Sequence, residues 1–337
     1  MGNVNKGVAL FDNESVNKDY FDLDDALADL EAMEATQTDV NIRANEVVFG
    51  GANGKLHIEN DGSSYRMTET AHNQMLSRLG IPGLFASRIP MDLLSTNINR
   101  LLNEYSGKNK WKIRTRELNN ERYIRAIVTE KYKVLNDSEV IRNTQKYVDD
   151  NKSEIDNWGV SWGEDMMRIT GKMPIEIAPK NNVGDITKVG IAIGNGTTGI
   201  TSLKVNTYLY RLVCSNGMVV PESIGGIRKA HVGKEFDAVM NEGFDTAFAS
   251  VTAVADMWNT IAELNLSDAS ANKIQRIREK VEIVIGRKET REIFERNIEN
   301  NNTVYTLLND LTYRARAVEN PIERNQLESY AGLLMAA

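Results

Sequence analysis

Residues 110–128 read KWKIRTRELNNERYIRAIV, and this stretch decides the local fold. Its first half alternates Trp111, Ile113 and Thr115 with basic residues, the period-two pattern of a β-strand with one face in water. Residues 118–121, LNNE, interrupt the alternation, and apolar residues resume it on every second position from Ile124 onward. The stretch therefore predicts an antiparallel hairpin with a tight turn at residues 118–121.

Helices and further strands extend outward from the hairpin. Residues 136–150 place apolar side chains at helical spacing, and strands are predicted within residues 46–67, 158–177, 189–193 and 203–213. From residue 234 onward the pattern is helical, over residues 234–264, 268–300 and 303–332. These elements predict an α+β fold with a mostly antiparallel sheet and packed helices, followed by a helical C-terminal part. The predicted division is a flexible acidic arm (1–40), an α+β core domain (41–233) and a helical region (234–337).

Charge is unevenly distributed along this chain of net charge −7. Residues 1–40 contain two cations and ten acids, a net −8, so the remaining 297 residues together carry +1. Residues 22–35 hold leucines at helical spacing, which predicts a short acidic helix that either docks or stays loose. Residues 108–133 contain nine cations and three acids, a net +6. Because the local field decides where a polyanion lands, the overall acidity does not exclude a nucleic-acid partner.

The cations of the predicted hairpin form the strongest candidate site. Every second residue of a strand is roughly 6.6 Å from the last, so four cations would form a row along one face, one per two phosphates of a strand. An aromatic residue and an arginine on the return strand could stack on bases. The candidate nucleic-acid-binding residues are Lys110, Lys112, Arg114, Arg116, Tyr123, Arg125, Lys131 and Lys133. The plainer alternative is a sheet face in water, on which long cations are ordinary.

Other kinds of chemistry find little support. Residues 194–199, GNGTTG, match the letters of a dinucleotide-binding loop, but the segment after them alternates like a strand, so a glycine-rich turn is predicted instead of a cofactor site. Cys214 is a lone cysteine, and His57, His72 and His231 are widely separated. No catalytic residue, cofactor or metal ligand is predicted, and the expected class is not an enzyme. A carboxylate metal site of the nuclease type stays open, since spatial grouping is invisible in sequence.

The expected location is the cytoplasm of a host cell. No stretch approaches the roughly 18 uncharged apolar residues of a membrane span, and the N-terminus lacks the basic and apolar regions of a signal peptide. We therefore expect a soluble protein with no membrane partner.

Three segments together are similar to a known family. They read LSRLGIPGLFASRIP (76–90), RYIRAIVTEKYKVLNDSEVI (122–141) and YLYRLVCSNGMV (208–219). In their order and wording they resemble the phage- and plasmid-borne family catalogued as domain of unknown function nine hundred and thirty-two, over residues 68–233. The resemblance implies a mobile-element context and brings no catalytic residue. In outline, the basic hairpin followed by a helical part is also similar to phage single-strand annealing proteins of the lambda beta type.

Two functions follow as expectations. The first is a phage-encoded protein that binds and anneals single-stranded DNA in recombination, without a cofactor, with RNA left open as the partner. The second is a phage interaction protein, such as an inhibitor of a host defence system. We expect a homo-oligomer, because Ile274, Ile277, Val281 and Val284 repeat at coiled-coil-like spacing, although the same spacing also suits a helix docked within the chain. The acidic arm is expected either to compete with nucleic acid for the hairpin or to act as a solubilising tail.

Overall fold

Two β-sheets and a group of C-terminal helices make up the part of the chain that the structure describes. The structure is a computed structural model, and it describes residues 17–50, 55–58, 62–105, 110–152, 155–177, 186–211, 216–220, 222–233 and 235–336. The predicted α+β class is confirmed, and every element after residue 233 is helical. Within the described ranges, no helix combines the length and apolar character needed to cross a bilayer.

The smaller sheet has six strands in the order β2-β6-β7-β5-β4-β3. β5 and β7 run parallel and the other neighbours are antiparallel. The strands are β2 (Gln37–Ile42), β3 (Val47–Gly50), β4 (Lys55–Ile58), β5 (Ser64–Met67), β6 (Trp111–Leu118) and β7 (Glu121–Thr129). A 3-10 turn, Ala44–Glu46, separates β2 from β3. Helices α2 (Glu69–Arg78), α3 (Gly83–Ala86) and α4 (Met91–Glu104) follow β5, and their apolar faces share one core with the sheet.

The predicted hairpin is present as β6 and β7. Leu118 pairs with Glu121, so the loop consists of Asn119 and Asn120 alone. Both asparagines have positive φ, 52° and 62°, as a type I′ turn requires. Asparagine tolerates this left-handed conformation better than most residues, which explains the choice of residue at the turn.

The larger sheet has seven strands and is antiparallel throughout. Its order is β1-β8-β9-β10-β11-β12, and β13 also pairs with β11. The strands are β1 (Lys18–Tyr20), β8 (Asn157–Gly163), β9 (Met166–Ile177), β10 (Thr187–Asn195), β11 (Leu203–Arg211), β12 (Asn216–Val219) and β13 (Gly226–Lys229). Helices α1 (Leu23–Glu34), α5 (Asp137–Asn151) and α7 (Phe236–Ala249) cover one face of this sheet, where Leu30, Ile141 and Phe244 are fully buried.

The C-terminal helices form a third core against the same sheet. After the short α6 (Glu222–Gly225) and α7, they are α8 (Val251–Glu263), α9 (Ala271–Ile285), α10 (Arg287–Glu299), α11 (Val304–Ala315) and α12 (Pro321–Gly332), with a final 3-10 turn Leu333–Ala336. The predicted helix over residues 268–300 is divided at Gly286, whose φ of 82° suits glycine and ends α9. The predicted helix over residues 303–332 is also two helices, α11 and α12.

The predicted self-association stripe is used inside the chain. Ile274, Ile277 and Val281 are buried in the C-terminal core, and Val284 packs against it. The docked-helix alternative is therefore correct for these residues.

The prediction of a flexible arm is wrong for its described part, residues 17–40. β1 pairs with β8 and β2 pairs with β6, so this segment contributes an edge strand to each sheet. Between them, α1 packs through its buried Leu23, Ala26 and Leu30. The leucine spacing predicted the helix, but the partners that bury it lie more than a hundred residues later in the chain, in α5 and β8. Residues 1–16 of the predicted arm lie outside the described residues.

Candidate nucleic-acid interface

The predicted solvent-facing row of cations on β6 does not exist. A register shift between Arg114 and Thr115 breaks the alternation, so that Ile113, Arg114 and Thr115 are buried one after another. Arg114 is only 3% exposed. Such a bulge re-aims the side chains that follow it and is not visible in the alternation of the sequence.

Three of the hairpin cations bond to other parts of the protein. Lys112 Nζ donates to the carbonyl oxygen of Tyr132 at 2.7 Å. Arg114 Nε donates to Asp39 Oδ1 at 2.9 Å, and its Nη1 donates to the carbonyl oxygen of Thr197. Arg116 Nη1 lies 2.7 Å from Glu164 Oε2. The acids and carbonyls that hold these side chains come from β2, from the segment after β7 and from two turns of the larger sheet.

The two predicted residues of the return strand also have partners within the protein. Arg125 is 2% exposed, pairs through Nε with Glu164, and donates from Nη2 to Thr197 Oγ1 at 2.9 Å. Tyr123 donates its hydroxyl to Glu121 at 3.0 Å, and the Arg116 guanidinium lies 5.7 Å from its ring centroid. Neither side chain forms the open stacking platform that the sequence predicted.

Only the cations at the ends of the predicted site face water. Lys110, Lys131 and Lys133 are exposed, whereas the three arginines between them, Arg114, Arg116 and Arg125, join the two sheets. The nucleic-acid role of the eight residues stays a prediction, but their geometry is that of a structural junction.

The glycine-rich loop after β10 completes this junction. As predicted, no helix follows it, since β11 begins at Leu203. Its carbonyl and hydroxyl groups accept hydrogen bonds from the smaller sheet and its helices: Gly196 O accepts from the Tyr132 hydroxyl at 2.8 Å and Thr198 O from Gln74 at 2.8 Å. A Cβ at Gly199, which has a φ of 84°, would lie 2.9 Å from Val128. The loop therefore acts as a clasp between the sheets.

A buried carboxylate stands beside the clasp. Asp137 accepts hydrogen bonds from Trp162 Nε1 at 3.0 Å and from Asn195 Nδ2 at 2.7 Å. Complete burial raises its pKa to about 6, because desolvation outweighs these two donors. Among the described residues no cluster of three metal-ligating side chains is present, and Cys214 lies outside them.

A different row of basic residues runs across the larger sheet. Arg168 of β9 lies opposite Gly194 of β10, Gly194 opposite Lys204 of β11, and Lys204 opposite Arg228 of β13. Residues directly opposite each other on neighbouring strands point to the same face, so the three cations share a face. Because neighbouring strands lie about 4.8 Å apart, Lys204 and Arg228 are adjacent and Arg168 is two strands further on.

Helices close this row into a cleft of about 480 Å³, which we call the cationic cleft. α12 runs along one side and contributes Asn325, Ser329 and Tyr330, and α9 contributes Lys280. The Lys280 ammonium lies 5.5 Å from the centroid of the Tyr330 ring. Among the described lining residues there are four cations and no carboxylate.

Arg168 lines the cleft beside α12. It pairs with Glu328, and both side chains are nearly completely buried. Burial lowers the pKa of Arg168, but the interactions with Glu328 and Tyr208 together outweigh this effect and raise the pKa. The guanidinium also lies 5.1 Å from the Tyr208 ring centroid. At the other end of the row, Arg228 Nε donates to Ser202 Oγ at 2.8 Å.

The family membership of the chain is decided by a comparison with known families. A family model described as Domain of unknown function (DUF932) matches residues 125–326, more than half of the 337 residues. The chain belongs to this family. No curated protein and no solved structure matches the sequence.

The DUF932 match differs in extent from the resemblance over residues 68–233. It begins inside β7, so LSRLGIPGLFASRIP lies before it, and it continues through the C-terminal helices into α12. It contains all four cations of the cleft, Arg168, Lys204, Arg228 and Lys280. Sequence reasoning did not find these four residues because they come from separate elements, and only the strand register and helix packing bring them together.

Proposed function

We propose that the protein binds a single strand of nucleic acid, and that the cationic cleft makes the contact. The observation that carries the proposal is the composition of the cleft: four cations line it, and no carboxylate does so among the described residues, in a chain of net charge −7. A local cationic field of this kind attracts phosphate regardless of the total charge.

The size of the cleft favours a flexible strand as the ligand. A volume of about 480 Å³ lies in the range of pockets that hold small molecules, roughly 300–1,000 Å³. It can admit a splayed nucleotide or the end of a strand, whereas a rigid duplex would remain outside. Lys204, Arg228 and Lys280 would hold phosphates, and Tyr330 offers a ring on which any base can stack.

Annealing of two strands in phage recombination is the wider function that we propose. Its support is the DUF932 resemblance to phage and plasmid proteins and the likeness in outline to lambda beta, which is a fold-level analogy. The cleft would act without covalent chemistry. It would neutralise one strand and leave its bases exposed for pairing with a second strand.

Fluorescence anisotropy with a labelled single-stranded oligonucleotide tests the proposal. We expect the double variant Lys204→Glu with Arg228→Glu to bind at least about tenfold more weakly than the wild type, because two phosphate contacts become repulsive. The matched control is Lys131→Glu with Lys133→Glu, the same charge change at exposed positions of the predicted hairpin site. Full binding by the cleft variant, or loss of binding only in the hairpin variant, would refute the cleft assignment.

A second candidate function is the interaction protein, and an exposed apolar segment favours it. Leu84, Phe85 and Leu93 are 66%, 49% and 54% exposed, on or next to α3 and α4. Exposed apolar residues this close in the chain are typical of protein contacts. Binding to a protein through them would persist at high salt, whereas phosphate-driven binding falls steeply. Survival of partner binding in about 0.5 M salt, where the Debye length is only about 4 Å, with loss in Leu84→Glu, would favour this function.

A further inference from the structure

A second, smaller cavity lies at the junction of the two sheets. Its volume is about 130 Å³, well above the roughly 10–15 Å³ that one water molecule requires. Its lining includes Lys18 of β1, Arg116 of β6, Arg125 of β7 and Trp162 of β8, together with residues from the end of α1 to the start of β2. It is separate from the cationic cleft and shares none of its lining residues.

The charge around this junction cavity is not balanced by its ion pairs. Arg116 and Arg125 share one carboxylate, that of Glu164. Lys18 is already paired with Asp29 at 2.6 Å, and Asp165 accepts from the hydroxyls of Thr70 and Thr198 at 2.7 Å each. Glu117, the one carboxylate that lines the cavity among the described residues, is an exposed residue. Asp165 also attracts Arg125, so the surplus is that of the described lining itself, in which three cations stand against one carboxylate.

Unused hydrogen-bond donors accompany this surplus. Arg116 Nε and Arg125 Nη1 are buried and have no hydrogen-bond partner among the described residues. Buried polar groups in proteins nearly always have a partner, so both N–H groups call for an acceptor. Water could accept these bonds, but water carries no charge to offset the surplus. An oxyanion does both, and guanidinium groups match its geometry.

We propose that the junction cavity binds a small oxyanion of phosphate size, held by Arg116 and Arg125. The anion would complete the pairing that Glu164 begins, and it would join β6 and β7 of the smaller sheet to β1 and β8 of the larger one. The site does not depend on the nucleic-acid function, since its residues lie outside the cleft.

Thermal unfolding of the full chain with added phosphate tests this proposal. The background is the Lys204→Glu, Arg228→Glu protein, in which the cleft attracts phosphate less, and sodium chloride of equal ionic strength is the reference. Phosphate also stabilises proteins generally by exclusion from their surface. The expected result is therefore a saturable rise of Tm that Arg116→Gln removes, leaving only the gradual general effect.

Two further variants make the outcome decisive. Arg122→Gln removes an exposed arginine of the same hairpin that does not line the cavity, and it should keep the full response. Leu118→Trp fills the cavity without changing its charge and should also abolish the response. It replaces Arg116→Gln as the test if that variant fails to fold. Calorimetric titration with phosphate and with acetate completes the experiment.

Two results would overturn the oxyanion site. One is an equal response to phosphate in Arg116→Gln and in Arg122→Gln, and the other is binding of acetate as strong as that of phosphate. Oligonucleotide binding by Arg116→Gln in an otherwise wild-type chain is expected to be normal. A failure of the junction site is thereby distinguished from a failure of the cleft.

Discussion

The hairpin and the cationic cleft each gather several basic residues, but they use them differently. On β6 the cations follow one another along the strand, and they are held by Asp39, Glu164 and backbone carbonyls of other elements. In the cleft the cations lie across strands that are distant in sequence, with no carboxylate among the described lining residues. In this protein, the basic residues that are consecutive in the sequence belong to the junction between the sheets. The basic residues that strand pairing brings together form the candidate binding surface.

The largest expected effect tests whether the hairpin cations are structural. Glu164→Gln leaves the buried Arg125 and the half-buried Arg116 without their shared carboxylate. Removing one partner from a buried ion pair costs about 3–5 kcal/mol of unfolding free energy. Urea denaturation of Glu164→Gln and of the wild type measures this loss of unfolding free energy.

The control for this variant is Glu104→Gln on α4. Glu104 pairs with Arg100 at 2.9 Å on an exposed helix face, where such pairs contribute at most about 0.5 kcal/mol. Similar losses in the two variants would show that the junction pairs are no stronger than surface pairs.

A pH titration of stability examines the same junction. The pKa of Asp137 is raised by burial from 3.8 to about 6, so the folded state binds a proton more tightly than the unfolded state. This contribution is fully present below pH 4 and is lost as the pH rises through 6, by about 3 kcal/mol at about 1.4 kcal/mol per pKa unit. In Asp137→Asn we expect this fall in stability to disappear.

Unfolding in urea at about pH 4.5, between the two pKa values, and at about pH 7, above both, measures the difference between the variant and the wild type. Asp149→Asn, at an exposed position of the same helix, is the control and should keep the wild-type profile. A wild-type profile in Asp137→Asn as well would mean that Asp137 is ionised at no cost in the folded protein.

The next largest effect is on the salt dependence of oligonucleotide binding, which distinguishes the cleft from the hairpin. Each phosphate contact to a single strand contributes a slope of about −0.7 to log K against log salt. Lys204→Glu with Arg228→Glu should therefore make the slope shallower by about 1.4, measured by anisotropy over a series of salt concentrations. Lys131→Glu with Lys133→Glu should leave the slope unchanged, and an equal change in both would indicate a diffuse surface without a defined cleft.

The smallest expected effect concerns the clasp loop. Gly199→Ala forces a side chain into the left-handed region and 2.9 Å from Val128, between the sheets. Gly233→Ala meets the same backbone penalty, at a φ of 86°, but has open space around it. The left-handed conformation costs roughly 1–2 kcal/mol in either variant. We expect Gly199→Ala to lose about 1 kcal/mol more in thermal unfolding, and equal losses would show that the clasp is loosely packed.

The alternation of side chains predicted the hairpin, its turn and the α+β class, because these depend on neighbours in the sequence. It could not predict the bulge at Arg114, which is set by what packs around the strand. Nor could it predict Asp39 and Glu164 as partners, since they lie 75 and 39 or more residues away from the arginines that they hold. The cleft depends on pairings such as Lys204 with Arg228, which only the folded sheet defines.

The start of the DUF932 match within β7 has a consequence for protein production. A fragment cut at residue 125 would lose β6, the antiparallel partner of β7, and with it Arg116. The remaining half of β7 would present unpaired backbone groups and apolar side chains such as Ile127, which is the kind of edge that recruits other chains into aggregates. A fragment that begins before Lys18 would avoid this outcome, because it retains the edge strands of both sheets.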